Sequence, residues 1–430
     1  MIAPNSYGVL TATSANVIQG RAPAFTGQSG ASKLGFKIGN TLYSESRGNI
    51  VGGTEKIFDR DLKLSEFVVQ TLSLSDFTVA NDYYDADGDE EHPTTPFTIG
   101  NVSYEWRDGN GNKITDHTKM IGCGSGLSLP LTLKIRLPAQ AHSKYGYPKD
   151  GDPAPLEQNY KITTTSGICF AKPNSMIVNP SKTWVNVRSG ATVWNSGDPT
   201  PDPVVGGGYD QTQFDPKNGF KASTTPKFPT TGFAMAKFQL VMTGAQTDYT
   251  YSVLVSPTNA VTVDTNGNVT LNRKPNSAVT VKATLRSNTN IVHEYTFDPR
   301  TVWMVPYLKD DDEPVYKSAD TYAVARSRCG SRLPTRAQLT NSPQKTAPKD
   351  WTFFINAHTR KIDGSIYGEW GIVDDRNYRT YPGSKWTAYY GYWTKDNRSS
   401  TSQFRVEGDY GAVVYHGLDV NSHSQIVCLG

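Results

Sequence analysis

Residues 261–271 read VTVDTNGNVTL. Apolar residues alternate at Val261 and Val263, an Asn266-Gly267 step follows, and alternation resumes at Val269 and Leu271. Period-two alternation places these side chains on one face of a pleated strand. An Asn-Gly step supplies the positive-φ residues of a tight hairpin turn. The flanks repeat the pattern in Ala234–Met242 (AMAKFQLVM), Tyr249–Val255 (YTYSVLV), Val279–Leu285 and Ile291–Phe297. Short strands at regular spacing predict an antiparallel sandwich.

Further upstream, Lys33–Tyr43 (KLGFKIGNTLY) and Phe67–Leu74 also carry alternating apolar residues. In Val102–Asp108 (VSYEWRD), Val102, Tyr104 and Trp106 fall on one face, and the turn Gly109-Asn110-Gly111 follows. Leu127–Leu137 reads as another strand pair. A Trp on a central strand beside a hairpin suits an immunoglobulin-like sandwich. Ser196–Gly208 (SGDPTPDPVVGGG) reads as a surface loop, and Lys309–Ala319 (KDDDEPVYKSA) as a charged linker. The remainder, Tyr322–Gly430, is enriched in Trp and Tyr, with a short helix expected at Arg336–Leu339.

Composition agrees with a β-rich chain. The 430 residues suffice for several cores, and 38 Gly with 26 Pro supply turns. The 43 Lys and Arg against 40 Asp and Glu leave a net charge of +3, without the clustered basic footprint that a nucleic acid demands. No run of apolar residues is long enough for a membrane-spanning helix. Met1–Asn5 has neither a charged n-region nor an apolar h-region, so any export and anchoring parts are expected outside this chain.

Cys123, Cys169, Cys329 and Cys428 form no CxxC pair, which argues against zinc and redox roles. Three disulfide connectivities exist on paper; an early and a late pair along the chain favour Cys123–Cys169 and Cys329–Cys428. Closing loops of about 47 and 100 residues would contribute roughly 4 and 4.7 kcal/mol in the chain-entropy model. Such bridges imply an oxidising compartment or the cell surface.

The C-terminal segment resembles the lectin-like head of intimin and invasin adhesins. The residues that carry the resemblance are Tyr322-Ala323, Cys329, Arg332–Leu339 (RLPTRAQL), Gly368-Glu369-Trp370-Gly371, Tyr392-Trp393 and Gln425–Leu429 (QIVCL). Phe214–Phe220, Phe228–Ala234, Tyr249–Ser252 and Val261–Thr270 resemble the bacterial immunoglobulin-like modules of the same family. The likeness is good over 210–430 and weak before 170. It implies a mostly β chain, with tandem immunoglobulin-like sandwiches followed by a C-type-lectin-like α+β domain. The expected domains are a lead-in at 1–15, immunoglobulin-like domains at 16–172 and 173–305, a linker at 306–320 and the lectin-like domain at 321–430. It also implies the extracellular passenger of an outer-membrane adhesin, with an N-terminal β-barrel anchor that this chain lacks.

No nucleophile elbow, P-loop, HExxH or CxxC motif occurs, and the seven His are scattered, so no enzymatic activity and no cofactor are expected. Asp85, Asp87 and Asp89 in DADGDEE offer oxygen ligands for calcium, but the loop fails the EF-hand pattern and reads first as a solvated acidic turn. The EPN, QPD and WND motifs of sugar-binding C-type lectins are absent from Tyr322–Gly430, so no metal is expected there. Tyr389, Tyr390, Tyr392, Lys395, Asp396 and Arg398 are the candidate receptor-binding residues, because Tyr, Trp and Arg dominate interface hot spots. Trp393 is the expected core residue of the Tyr392-Trp393 pair. Integrin binding by invasins relies on an exposed Asp, for which the resemblance offers Asp396, Asp409 and Asp419; no Arg-Gly-Asp triplet is present. The leading expectation is adhesion to a protein on a host or neighbouring cell. The alternatives are binding of carbohydrate or biofilm matrix, and a secreted hydrolase with accessory sandwiches.

Overall fold

The computed structural model describes residues 20–25, 27–176, 183–185, 192–195, 206–309, 315–343, 357–388, 390–409, 411–413, 418–419 and 421–430. Most of the Ser196–Gly208 loop, the acidic run Asp310–Glu313 and Tyr389 lie outside them. The chain divides into two compact units, one of residues 1–121 and 127–165 and the other of 122–126 and 166–430.

In the first unit, the eleven-residue strand Leu131–Ala141 alternates buried and less buried residues along its length. It pairs antiparallel with Ala154–Thr163 on one side and with Ser103–Arg107 on the other. Leu127–Leu137 is therefore not a strand pair: its second half opens one long strand. The Gly109-Asn110-Gly111 turn closes a hairpin between Ser103–Arg107 and Lys113–Ile114. A smaller sheet, Thr41–Ser44, Gly35–Ile38 and Val68–Val69, packs its Phe36 ring 5.6 Å from Tyr160 of the larger one. Phe67 likewise meets Trp106 at 5.4 Å. Tyr104 shares the strand parity of Trp106 but is exposed, with the His117 ring 5.9 Å away.

The second unit holds the sandwich expected from the Asn-Gly hairpin. Val261–Val263 and Asn268–Leu271 pair as that hairpin, with Leu271 opposite Val261. They extend a six-stranded sheet through Ala236–Met242, Ile168–Pro173, Gly219–Lys221 and Phe214–Asp215. The facing sheet is Tyr249–Leu254, Val279–Leu285 and Val292–Phe297. Phe238 and Phe297 meet between the sheets at 5.3 Å. Strand Ile168–Pro173, placed at the end of the first domain by the sequence, makes its ladder here with Phe220 and Leu240. Both expected disulfides are present: Cys123–Cys169 ties residues 122–126 to that strand, and Cys329–Cys428 joins the helix Tyr322–Cys329 to the last strand, Val427–Leu429.

The C-terminal segment adds the helices Tyr322–Cys329, Arg336–Leu339 and Ile366–Trp370. Arg336–Leu339 begins in a capping box, with Thr335 accepting from the Gln338 amide and Gln338 from the Thr335 amide. This segment does not fold around a core of its own alone. Ile366, Tyr367, Trp370, Tyr381, Trp386 and Tyr392 belong to the same buried cluster as Phe228, Phe233, Phe238 and Tyr295 of the sandwich. The last strand, Val427–Leu429, pairs with Val302–Pro306, which in turn pairs with Thr231–Phe233. A second, smaller cluster contains Tyr322, Ala325, Cys329, Leu333, Trp393, Ile426 and Cys428. No helix among the described residues is long and apolar enough to cross a membrane, which says nothing of a β-barrel.

Candidate functional site

The GEWG motif that carried the resemblance lies where the C-terminal segment enters the sandwich. Ser365 caps the helix Ile366–Trp370 by accepting from the Gly368 amide. Glu369 is fully buried and turns its carboxylate toward Thr230 and Thr231. Its Oε2 accepts from the Thr230 amide at 2.8 Å, the Thr231 amide at 3.0 Å and the Thr231 hydroxyl at 3.0 Å. Its Oε1 faces the Thr230 hydroxyl. Trp370 follows with its ring 4.8 Å from Phe228 and 5.4 Å from Phe233, and its Nε1–H donates to the Thr231 carbonyl at 3.1 Å.

Arg360 is the matching fixture on the other side. Its guanidinium is buried over the Phe214 ring at 4.8 Å, donating to the Ser175 carbonyl at 2.8 Å and the Glu369 carbonyl at 2.9 Å. Burial lowers its pKa to about 10. Gly371, with φ +68°, must be Gly here: a Cβ would lie 1.9 Å from Arg360 Nη1. Sequence reasoning quoted Glu369 and Gly371 only as motif letters and missed Arg360. The available signal for Glu369 was a lone charge among the apolar and glycine residues of IYGEWGIV, whereas Arg360, in the polar stretch HTRKID, had none.

Burial raises the Glu369 pKa to about 7, against the opposing hydrogen bonds of Thr230 and Thr231. The hydrogen-bond geometry by itself favours the carboxylate, since the Thr230 and Thr231 amides and hydroxyls all donate to it, and it is burial away from water that favours the acid. Tyr295 and Arg360 are the other ionisable groups that feel its charge. An unfolded Glu gives up its proton near pH 4.5, whereas the folded one keeps it to about pH 7. Folding then takes up a proton between these values, so the contribution of Glu369 is full below pH 4.5 and falls as pH rises to 7. The expected loss is on the order of 3 kcal/mol at most. Denaturant melts from pH 4.5 to 8 check this against Glu369→Gln, which should remove that part of the slope.

The candidate receptor residues lie on or beside one hairpin, Tyr392–Asn397 with Ser402–Val406. Tyr390 precedes it and is 41% exposed, while Lys395 and Arg398 are exposed near its turn. Asp396 is half-buried and accepts from the Arg336 amide, so its carboxylate positions a helix start. Tyr392 is withdrawn as a contact residue. It is buried, its ring is 4.9 Å from Trp386, and its hydroxyl donates to the Thr387 carbonyl at 3.1 Å. Strand alternation suggested that one of Tyr392 and Trp393 faces out, but this strand is covered on both faces. Tyr392 belongs to the large core and Trp393 to the smaller one. Trp393 is the core residue expected of it, and its Nε1–H donates to the Asp320 carbonyl at 2.8 Å. Trp393→Phe keeps the ring but not that bond, and should cost about 1–2 kcal/mol in chemical unfolding. Asp409 is half-buried, and the side chain of Asp419 is outside the described residues.

In the first unit, carboxylate oxygens of Asp85, Asp87 and Asp89 come within 4.8 Å of one another. Asp87 accepts from the Arg21 amide at 2.7 Å. Burial and a hydrogen bond with Asp87 raise the Asp85 pKa, while the same hydrogen bond lowers that of Asp87.

Comparisons with known proteins bear on the second unit most directly. Residues 211–297 match the family model for invasin, domain 4. No curated protein matches the chain. Among solved structures, the chain is similar to invasin, a bacterial integrin-binding protein, at 17% identity over 77% of this chain and 58% of that one, with a TM-score of 0.38. It thus spans little more than half of that structure's length. It is similar to an intimin mutant from EHEC O157:H7 at 20% identity, covering 49% of this chain and 91% of that one, with a TM-score of 0.31. A complex of intimin with Tir90 gives 22% identity, coverage of 47% and 89%, and a TM-score of 0.32. At these scores the structural likenesses carry no argument of their own, and the domain match carries the assignment. Residues 211–297, with the Asn-Gly hairpin and the threonine pair that receives Glu369, are similar to an invasin-type domain 4, and the likeness shown extends over that domain.

Proposed function

We propose that this chain is part of the extracellular portion of a bacterial outer-membrane adhesin, and that its C-terminal segment attaches the cell to a protein on a host or neighbouring cell. The observation that carries the reading is the invasin-type domain 4 sharing one core with an aromatic-rich C-terminal segment. A rigid joint of this kind suits a segment that must hold a contact against detachment. Its role is binding rather than catalysis. Tyr390, Lys395 and Arg398 are the proposed contact residues, joined by Tyr389 from the sequence; Asp396 helps to shape their hairpin.

The test is binding of the labelled full-length chain to cultured epithelial cells and to bacterial cells, before and after the target cells are treated with protease or with glycosidases. The reading expects saturable binding that protease removes and glycosidases leave intact. Binding that survives protease but not glycosidase treatment would instead favour a carbohydrate ligand. Absence of saturable binding to every cell type would remove the adhesion reading.

A further inference from the structure

The loop 375–386 of the C-terminal segment is closed on itself, with the Asp375 amide donating to the Trp386 carbonyl at 3.0 Å. Inside it the Gly383 amide donates to Asp375 Oδ1 at 2.6 Å and the Ser384 amide to the Tyr381 carbonyl at 3.2 Å. Its floor is the buried carboxylate of Asp374, which accepts from the amides of Tyr378 and Ala388, each at 2.8 Å. Tyr381 and Trp386 are sunk in the core, and the Tyr381 hydroxyl donates to the Trp370 carbonyl at 2.8 Å. Compact closed loops of this kind frequently carry function.

What this rigid base presents is basic and aromatic. Arg376, Tyr378, Arg379 and Lys385 are all exposed. The three cations make no ion pair among the described residues, and the neighbouring carboxylates of Asp374 and Asp375 already accept backbone amides. Arg379 and Lys385 have φ of +50° and +63°, a region in which Gly or Asn would sit with less strain. Backbone strain held by a well-bonded frame is a recurrent mark of binding sites. Two long cationic side chains at strained positions are explained if those side chains are required.

We infer that the loop 375–386 is the docking surface for a carboxylate-rich polypeptide segment of the partner, an inference that rests on the adhesion reading and supplies the chemistry of its receptor. Arginine's planar fork matches a carboxylate with two parallel hydrogen bonds. An exposed Tyr between two Arg adds the kind of anchor on which protein interfaces depend. A sulfated polymer would favour a denser basic run than three cations set apart around a fixed loop.

The test uses the full-length chain with its disulfides intact. Arg376→Glu, Arg379→Glu and Lys385→Glu are combined and compared with Arg47→Glu, Lys149→Glu and Lys217→Glu, an equal charge change at other exposed cations. A milder triple substitution of the loop cations to Gln accompanies them, and thermal melting establishes folding. Binding is measured to cells and, separately, to immobilised poly-L-glutamate at low ionic strength. The expected result is a loss of about tenfold or more in both assays for the loop triple, with the control triple within about twofold of the parent. Unchanged binding by the loop triple, or equal loss in the control, overturns the inference. So does competition by heparin where poly-L-glutamate does not compete. If the parent binds poly-L-glutamate through the loop but binds no cell, the adhesion reading fails and the loop assignment stands. If cell binding is saturable and indifferent to the loop, the reverse holds.

Discussion

Trp370→Ala is expected to destabilise the second unit by about 3–5 kcal/mol, the usual range for truncating a buried Trp. The expectation rests on where the indole sits. It is fully buried among Phe228, Phe233, Phe238 and Tyr381. It is contributed by the C-terminal segment, whereas three of these four partners come from the sandwich. The cavity would thus open at the joint between them, and loss of the Nε1–H bond would leave the Thr231 carbonyl with one donor fewer. Urea unfolding of the full chain, followed by the near-ultraviolet signal, measures the effect. The first unit should be unaffected, and its persistence gives an internal control. A loss below about 1 kcal/mol would mean that the indole is not the anchor described above.

Glu369→Ala is the second large effect, expected at about 3 kcal/mol near pH 6, where the carboxyl is mostly protonated. The cost arises from the donors left behind. The amides of Thr230 and Thr231 both point at Oε2, and a methyl group gives neither an acceptor. Glu369→Gln retains an acceptor oxygen and should cost about 1 kcal/mol. Thr231 bonds to both Glu369 and Trp370, so the two substitutions should be non-additive. A double-mutant cycle is expected to show coupling of about 1 kcal/mol, and independent effects would contradict the shared joint.

Much of this fold could be read from local pattern. Alternation around Asn266-Gly267 indicated the hairpin, because turn chemistry and strand periodicity act over a few residues. The order of the four cysteines indicated both bridges, and Trp393 was correctly assigned to a core. Properties set by distant packing were less legible. Ile168–Pro173 looks continuous with the strands before it, and only its pairing with Ala236–Met242 places it in the second unit. The burial of Tyr392 depends on a second covered strand face, which alternation does not reveal. The roles of Glu369 and Arg360 require knowing that Thr230, Thr231, Phe214 and Ser175 converge on them from far along the chain. For the proposed contact surface, the aromatic run drew attention to Tyr389–Trp393 and the cations Lys395 and Arg398 after it, whereas Arg376, Arg379 and Lys385, also exposed, lie on the loop that precedes it.

Native-state hydrogen exchange of the full chain, at increasing sub-denaturing urea, tests most directly the claim that invasin-type domain 4 and the C-terminal segment are one folding unit. Amides of Val279–Leu285 report the sandwich, and those of Tyr392–Thr394 and Val427–Leu429 report the C-terminal segment. A shared core predicts that their opening free energies merge into one cooperative transition with the same urea dependence. Contradiction would come from C-terminal amides that open at lower urea, with a smaller slope, while Val279–Leu285 stays protected.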